Sequence, residues 1–340
     1  LSIVDGPVAD ATKPLIAVVG AGLMGSGIAA TFAAAGHEVA IHDPMPEALA
    51  AAPERVATCL AAMGADAGAV ELVRTAARPQ EAVAGAGFVF EAAPEDLALK
   101  QDIFARLDAI AAPGCILASN SSAMRPTEIA ARVERPGRTV GTHWWNPPHL
   151  IPLVEVIRGA RTTEETAERV FALLESVGKV PVRVTKDVPG FVGNRLQHAL
   201  WRECFQLVDE GVCDAETIDT VIKNGFGPRL AALGPMENAD LVGLELTLSI
   251  HEYLLPRLTP PSEPSTGLRE RLADGRTGMA AGEGWRRWPE GSRERVQAEV
   301  SEFLRERAAR RAAAGSASPG GQPAAPADGA SPSRTASEQP

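Results

Sequence analysis

PLIAVVGAGLMGSG, residues 14–27, joins an unbroken apolar run to closely spaced glycines. Leu15–Val19 shows no polar alternation, the pattern of a strand buried on both faces, and Gly20 stops it. The residues that follow have helical composition. Gly20, Gly22 and Gly25 form a G-x-G-x-x-G between that strand and that helix, with Leu23 and Met24 inside it. Such glycines permit a tight turn, let backbone approach a pyrophosphate and allow close helix packing, while the helix N-terminus offers N–H groups and a positive dipole end to the phosphates. A second strand, HEVAIHD, ends at Asp43, 18 residues after Gly25. A carboxylate there can accept from the adenosine ribose 2′-OH and repel a 2′-phosphate, which points to NAD over NADP.

Outward from this unit, strands and helices alternate. PEALAAAPERVATCLAAMG (46–64) reads as a helix, GFVFEAA (87–93) as a strand, LALKQDIFARLDAIA (97–111) as a helix, and CILASN, RTVGTHW and LVEVI as further strands. The alternation predicts an α/β protein with a Rossmann-type, doubly wound parallel sheet. Thr162 with Glu165 fits a capping box, Val170, Phe171, Leu174 and Val177 form one stripe, and Gly178 ends that helix. After the strand KVPVRVTKD nearly everything is helical, with Asp214 a predicted N-cap, so an all-helical C-terminal domain follows. The expected boundaries are 14–186 for the dinucleotide-binding domain, 187–288 for the helical one, 289–314 for an exposed charged helix and 315–340 for a disordered Ala/Ser/Pro/Gly tail.

Of 340 residues, 33 are Lys or Arg and 43 Asp or Glu, a formal charge of −10 that argues against nucleic acid or an anionic membrane as the main partner. Cys59, Cys115, Cys204 and Cys213 lie far apart and read as reduced thiols, not as a disulfide or zinc framework. No apolar run is long enough to span a bilayer and the first residues lack a signal-peptide pattern, so a cytoplasmic protein is expected.

Ligands of open parallel sheets bind outside the carboxyl ends of the strands. Gly20, Asp43, Glu95, Ser122 and His143 each lie within a few residues of such an end. Glu155 lies inside the apolar strand LVEVI, where an unpartnered carboxylate would cost on the order of several kcal/mol, so it needs a cation or a good donor. His143 is the nearest candidate. A His held by a Glu is a general base suited to taking a hydroxyl proton as hydride leaves carbon. A rim His beside a solvent-facing Glu fits those two residues equally well.

The segments GAGLMGSGIA, EAAPEDLALK, LASNSSA, GTHWWNPPHLIPLVEVI and DVPGFVGNRL, in this order and spacing, resemble the L-3-hydroxyacyl-CoA dehydrogenase family from about Leu15 to about Trp288. The resemblance implies that His143 is the catalytic acid/base and Glu155 its orienting partner. It further implies that Ser122 hydrogen-bonds the reacting oxygen and lines the nicotinamide site, that Asn194 reaches the substrate oxygen across the cleft, and that Glu95, Lys100 and Asn146 contact NAD. The implied activity is NAD-dependent interconversion of a 3-hydroxyacyl substrate, a CoA thioester first of all, and its 3-oxo form. Family members commonly dimerise through the helical domain, which implies a homodimer; the apolar stretch 241–255 suits an interface or ordinary core.

Three departures stand out. Residues 56–73, where the family often places basic residues against the CoA phosphates, contain no Lys or Arg. Ala280 replaces a Lys that the family carries near the nicotinamide. Trp144-Trp145 replaces a common Phe-Phe, in a segment similar to relatives acting on free substrates such as gulonate, carnitine or a pyridine alcohol. Two rival classes remain open: a Ser122–His143–Glu155 hydrolase, which lacks the G-x-S-x-G elbow, and a non-catalytic NAD-binding protein.

Overall fold

The computed structural model describes residues 13–258 and 263–316. The first twelve residues and the expected tail from residue 317 onward lie outside the described residues. In chain order the Rossmann half runs β1 (Leu15–Val19), α1 (Leu23–Ala34), β2 (Val39–His42), α2 (Pro46–Ala50), α3 (Ala52–Met63), β3 (Val73–Ala76), α4 (Pro79–Val83), β4 (Ala86–Glu91), α5 (Leu97–Ile110), β5 (Ile116–Ser119), α6 (Pro126–Ile129), β6 (Thr139–Trp144), β7 (Leu153–Ile157), α7 (Glu164–Ser176) and β8 (Val180–Val184). The helices α8 (Gly193–Asp209), α9 (Ala215–Asn224), α10 (Pro235–Val242), α11 (Leu244–Leu254), α12 (Thr266–Ala273) and α13 (Ser292–Ser316) complete the chain.

The strands form one sheet in the order β3-β2-β1-β4-β5-β6-β7-β8, parallel except for the antiparallel β6–β7 pair. Strand order reverses between β1 and β4, so the glycine turn after β1 stands at the switch point where such sheets bind ligands. Ile16 and Val18 enter one core and Ala17 and Val19 the other, because helices cover both faces; hence β1 is apolar without alternation.

Three local readings need correction. The helix expected over 46–64 is two, α2 and α3, because Pro53 in the first turn of α3 cannot continue a helix. The strand β3 escaped notice because it is a four-residue, half-exposed edge. The N-cap of α7 is Thr163, which accepts from Thr166 N at 3.2 Å. Thr162 is buried and is satisfied elsewhere: it donates to Thr139 O at 2.6 Å and accepts from Gly159 N at 2.9 Å.

The helical half is built differently. Asp214 caps α9, accepting from Thr217 N at 2.7 Å, and Asp209 ties α8 to α12 through Ser265 Oγ at 2.6 Å. None of α8 to α11 has a buried residue, and Gly243, at φ +96, breaks the expected apolar run into α10 and α11. Residues 241–255 are therefore not ordinary core: Leu241 is 73% exposed, Leu244 61% and Tyr253 68%. The charged helix α13 is largely exposed over its described side chains, and Arg307 and Arg311 reach back to Ala231 O and Gly178 O. No helix among the described residues is long and apolar enough to cross a membrane.

Candidate active site

At the glycine turn, close approach is enforced twice. A Cβ on Gly20, at φ +107, would lie 2.6 Å from Ala92 O, and one on Gly25 would overlap Gly20 O. Gly22 differs: a Cβ there would meet nothing within 4 Å, so its backbone faces open space at the N-terminus of α1. That open cradle fits a dinucleotide pyrophosphate. Leu23 opens the helix, 60% exposed, with Met24 half-buried behind it. Asp43 directly follows β2 and braces the turn, accepting from Ala21 N at 2.7 Å and Met45 N at 2.9 Å.

Farther along the rim, Glu95 accepts from Ser121 Oγ at 2.9 Å and from Ser122 N. Lys100 departs from its expected place against NAD. Its side chain is 1% exposed and its ammonium donates to Glu91 Oε1 at 2.7 Å and Ala93 O at 3.0 Å, 3.8 Å from Glu95 Oε2. It holds the floor beneath Glu95 instead of presenting charge to the cleft. Glu91, fully buried at the end of β4, also accepts from Ser119 Oγ at 2.6 Å. An acid inside an apolar strand was the signal that singled out Glu155, and GFVFEAA carries the same signal at Glu91.

His143 and Glu155 are register partners across β6 and β7, which puts both side chains on one face of the sheet. His143 Nδ1 lies 2.7 Å from Glu155 Oε2, with both side chains buried. The other oxygen, Oε1, accepts from Val192 N at 2.9 Å and Gly193 N at 3.1 Å, the amides entering α8. Burial pushes the Glu155 carboxyl up, but the bonds from His143, Gly193 and Val192 outweigh it and hold it below the usual carboxylate value. An ionised Glu155 makes Nδ1 the donor, so the neutral ring keeps its lone pair on Nε2.

Gly193 is a residue that reading the sequence missed. A Cβ there would run into Trp145 Cζ2 and lie 3.2 Å from Glu155 Oε2. Phe191 beside it is the one non-glycine residue at positive φ, +49, among those described; it is buried, its ring centroid 5.7 Å from that of His143. Of the tryptophans, Trp144 belongs to the core against Phe32 and Phe90, whereas Trp145 packs on His143 with ring centroids 5.1 Å apart.

Asn194, one residue on, donates through Nδ2 to Ser122 O at 2.7 Å, so one of its N–H groups crosses the cleft to the backbone opposite. A continuous chain results: Glu95 to Ser122, Ser122 to Asn194, then Gly193 to Glu155 and Glu155 to His143. Asn146 stands outside it, exposed on the turn after Trp145. The hydrolase arrangement is not formed, since Ser122 Oγ and His143 share no hydrogen bond among the described residues.

A dinucleotide cradle at the switch point, with a carboxylate-backed imidazole on the same rim, defines a nicotinamide-dependent dehydrogenase. The chain matches the 3-hydroxyacyl-CoA dehydrogenase NAD binding domain over residues 15–188 and the C-terminal domain of the same enzymes over 190–288, and it belongs to that family. It is an NAD-dependent oxidoreductase. It is 37% identical over 274 residues to 5-formyl-3-hydroxy-2-methylpyridine 4-carboxylate 5-dehydrogenase of Mesorhizobium japonicum, covering 79% of this chain and 89% of the relative. It is 41% identical over 278 residues to a probable 3-hydroxybutyryl-CoA dehydrogenase of Bacillus subtilis, covering 79% and 96%. The crystal structure of a 5-formyl-3-hydroxy-2-methylpyridine 4-carboxylic acid 5-dehydrogenase, described as an NAD+-dependent dismutase, superposes with a TM-score of 0.81 at 36% identity, covering 88% of this chain and 97% of that one.

Proposed function

We propose that the protein oxidises a free, carboxylate-bearing hydroxy compound in preference to a CoA thioester. The buried His143–Glu155 pair carries the chemical part of this reading. His143 Nε2 takes the substrate hydroxyl proton, and Glu155 stabilises the imidazolium that forms. Ser122 Oγ and the remaining N–H of Asn194 steady the oxygen as its charge changes. Gly20, Gly22, Gly25 and Asp43 hold NAD, which when bound supplies the hydride acceptor, and Glu95 and Asn146 complete its nicotinamide side. Trp145 and Phe191, packed on the imidazole, exclude water from it.

Residues 56–73 support the free-substrate reading: they carry no Lys or Arg to meet CoA phosphates, and Arg55, in the first turn of α3, donates instead to Ala21 O and Ala48 O. The pyridine-carboxylate relative and its TM-score of 0.81 support it as well. Following NADH oxidation with acetoacetyl-CoA and with free 3-oxo and aromatic oxo acids tests it. The expected result is a kcat/KM at least about 10-fold higher for a free acid, a difference of about 1.4 kcal/mol; a preference for acetoacetyl-CoA of that size returns the substrate to the thioester class.

We also assign the exposed face of α10 and α11 to a second copy of the chain, since a contiguous apolar patch of this kind is rare on monomers. Four free thiols, two of them buried, support a cytoplasmic setting.

A further inference from the structure

A cavity of about 460 Å³ lies against the turn that follows Trp145, between α13 and the α1/α3 side of the sheet. Its charged lining is cationic: Lys179, Arg307, Arg310 and Arg311, with His149 beside them. Among the described residues the only carboxylate ion-paired with this group is Glu306, 3.8 Å from Arg310. Such clustering runs against a chain whose formal charge is −10. Arg311 donates to Gly178 O at 2.7 Å and so stands directly over Lys179.

Lys179 is only 8% exposed. Its ammonium donates to Pro148 O and to Ile151 O, the latter at 3.1 Å, and lies 5.2 Å from the Trp144 ring centroid. These partners are neutral, and a buried ammonium without an opposite charge is costly. Burial and the nearby Arg311 push it down to about 7. Burial and Lys179 likewise push His149 down to about 4, and His149 Nδ1 is buried without a hydrogen-bond partner. Leu150, Val177 and Leu304 give the cavity apolar walls.

We propose that this cavity is a binding site for a phosphate-type dianion carried on a small organic molecule. Guanidinium groups present paired donors that match phosphate oxygens, Lys179 supplies a point charge at the floor, and the apolar walls accommodate the carbon skeleton. The site draws on α13, which lies beyond residue 288, where the match to the C-terminal domain of the family ends. It does not depend on the substrate reading above. Occupancy is linked to catalysis through the turn 145–151: Lys179 holds Pro148 and Ile151, and a Cβ on Gly27 of α1 would lie 2.6 Å from Pro148 Cγ, so the turn leading from His143 is clamped from both sides.

Titration calorimetry on the full chain with inorganic phosphate and with adenosine 3′,5′-bisphosphate, against chloride at matched ionic strength, tests the proposal. Both phosphates should bind, and Arg307→Ala with Arg311→Ala should weaken binding at least about 10-fold, the scale of a lost charge-assisted hydrogen bond, while leaving phosphate-free oxidation of a free acid unchanged. Binding no tighter than chloride, or unaffected by the double substitution, overturns it. The source of the phosphate is read from kinetics. A selective rise in KM for acetoacetyl-CoA in the double variant identifies the dianion as part of CoA. A change in KM for a free acid on adding phosphate, lost in the double variant, identifies a separate effector.

Discussion

The Rossmann half and the helical half of this chain contrast in how they bury apolar residues. In the first, β1, β2 and β5 are buried along nearly their whole length, and two cores sandwich the sheet. In the second, helices of comparable apolar content carry no buried residue from α8 to α11. The first half buries its own apolar faces, whereas the second leaves apolar side chains exposed among the described residues. The candidate active site joins the two: β6 and β7 supply the imidazole and carboxylate, the amides entering α8 bind that carboxylate, and Asn194 crosses to Ser122 O.

Replacing groups on each side tests how far that division holds. The largest effect is expected for His143→Gln, which should lower turnover by at least about 100-fold, the scale of general acid–base loss, with NADH affinity by fluorescence titration unchanged because the cradle lies elsewhere on the rim. Turnover near that of the parent protein would remove the mechanism. From the helical side, Gly193→Ala should cost up to about 100-fold in turnover, since its Cβ displaces Trp145 and Glu155 and misplacement near 1 Å is enough. Combining it with Trp145→Ala should restore part of the loss, and if no activity returns the steric account is wrong.

Glu155→Gln should have a smaller effect, about 10-fold in turnover, and a distinct signature in stability against pH. The folded-state value of this carboxyl lies below its ordinary 4.5, so its contribution is present above pH 4.5 and is lost as pH falls through the lower folded value. Urea denaturation from pH 6 to pH 3 should therefore show a steeper fall for the parent protein than for the Gln variant, and parallel curves would contradict the assigned ionisation. The mildest catalytic effect is expected for Leu244→Glu with Leu248→Glu on the exposed face. Sedimentation velocity should show at least about a 10-fold weaker self-association, with NADH affinity unchanged. A protein already monomeric before substitution would leave the apolar face to some other occupant.

Much of the Rossmann half was readable because its signals are local. An unbroken Leu/Ile/Val run, glycines at fixed spacing and an acid ending the second strand each report on a few neighbouring residues. Glu155 was readable too, as a charge in an apolar strand that must find a partner. Glu91 gives the same signal in β4, and its partner Lys100 looked like a cofactor contact until the fold showed the ammonium to be fully buried. Gly193 and the backbone amides bound to Glu155 carry no side-chain pattern, so periodicity cannot reveal them.

The amino-acid order alone determined a doubly wound sheet, a dinucleotide turn and a short set of ionisable candidates, because strand burial, helix capping and glycine turns act over a few residues. Only tertiary structure decided that His143 and Glu155 face each other, that amides 37 and 38 residues farther along hold that carboxylate, and that the apolar run 241–255 lies open. Those outcomes depend on pairings between distant segments and on what each face finds opposite it, and local sequence does not encode either.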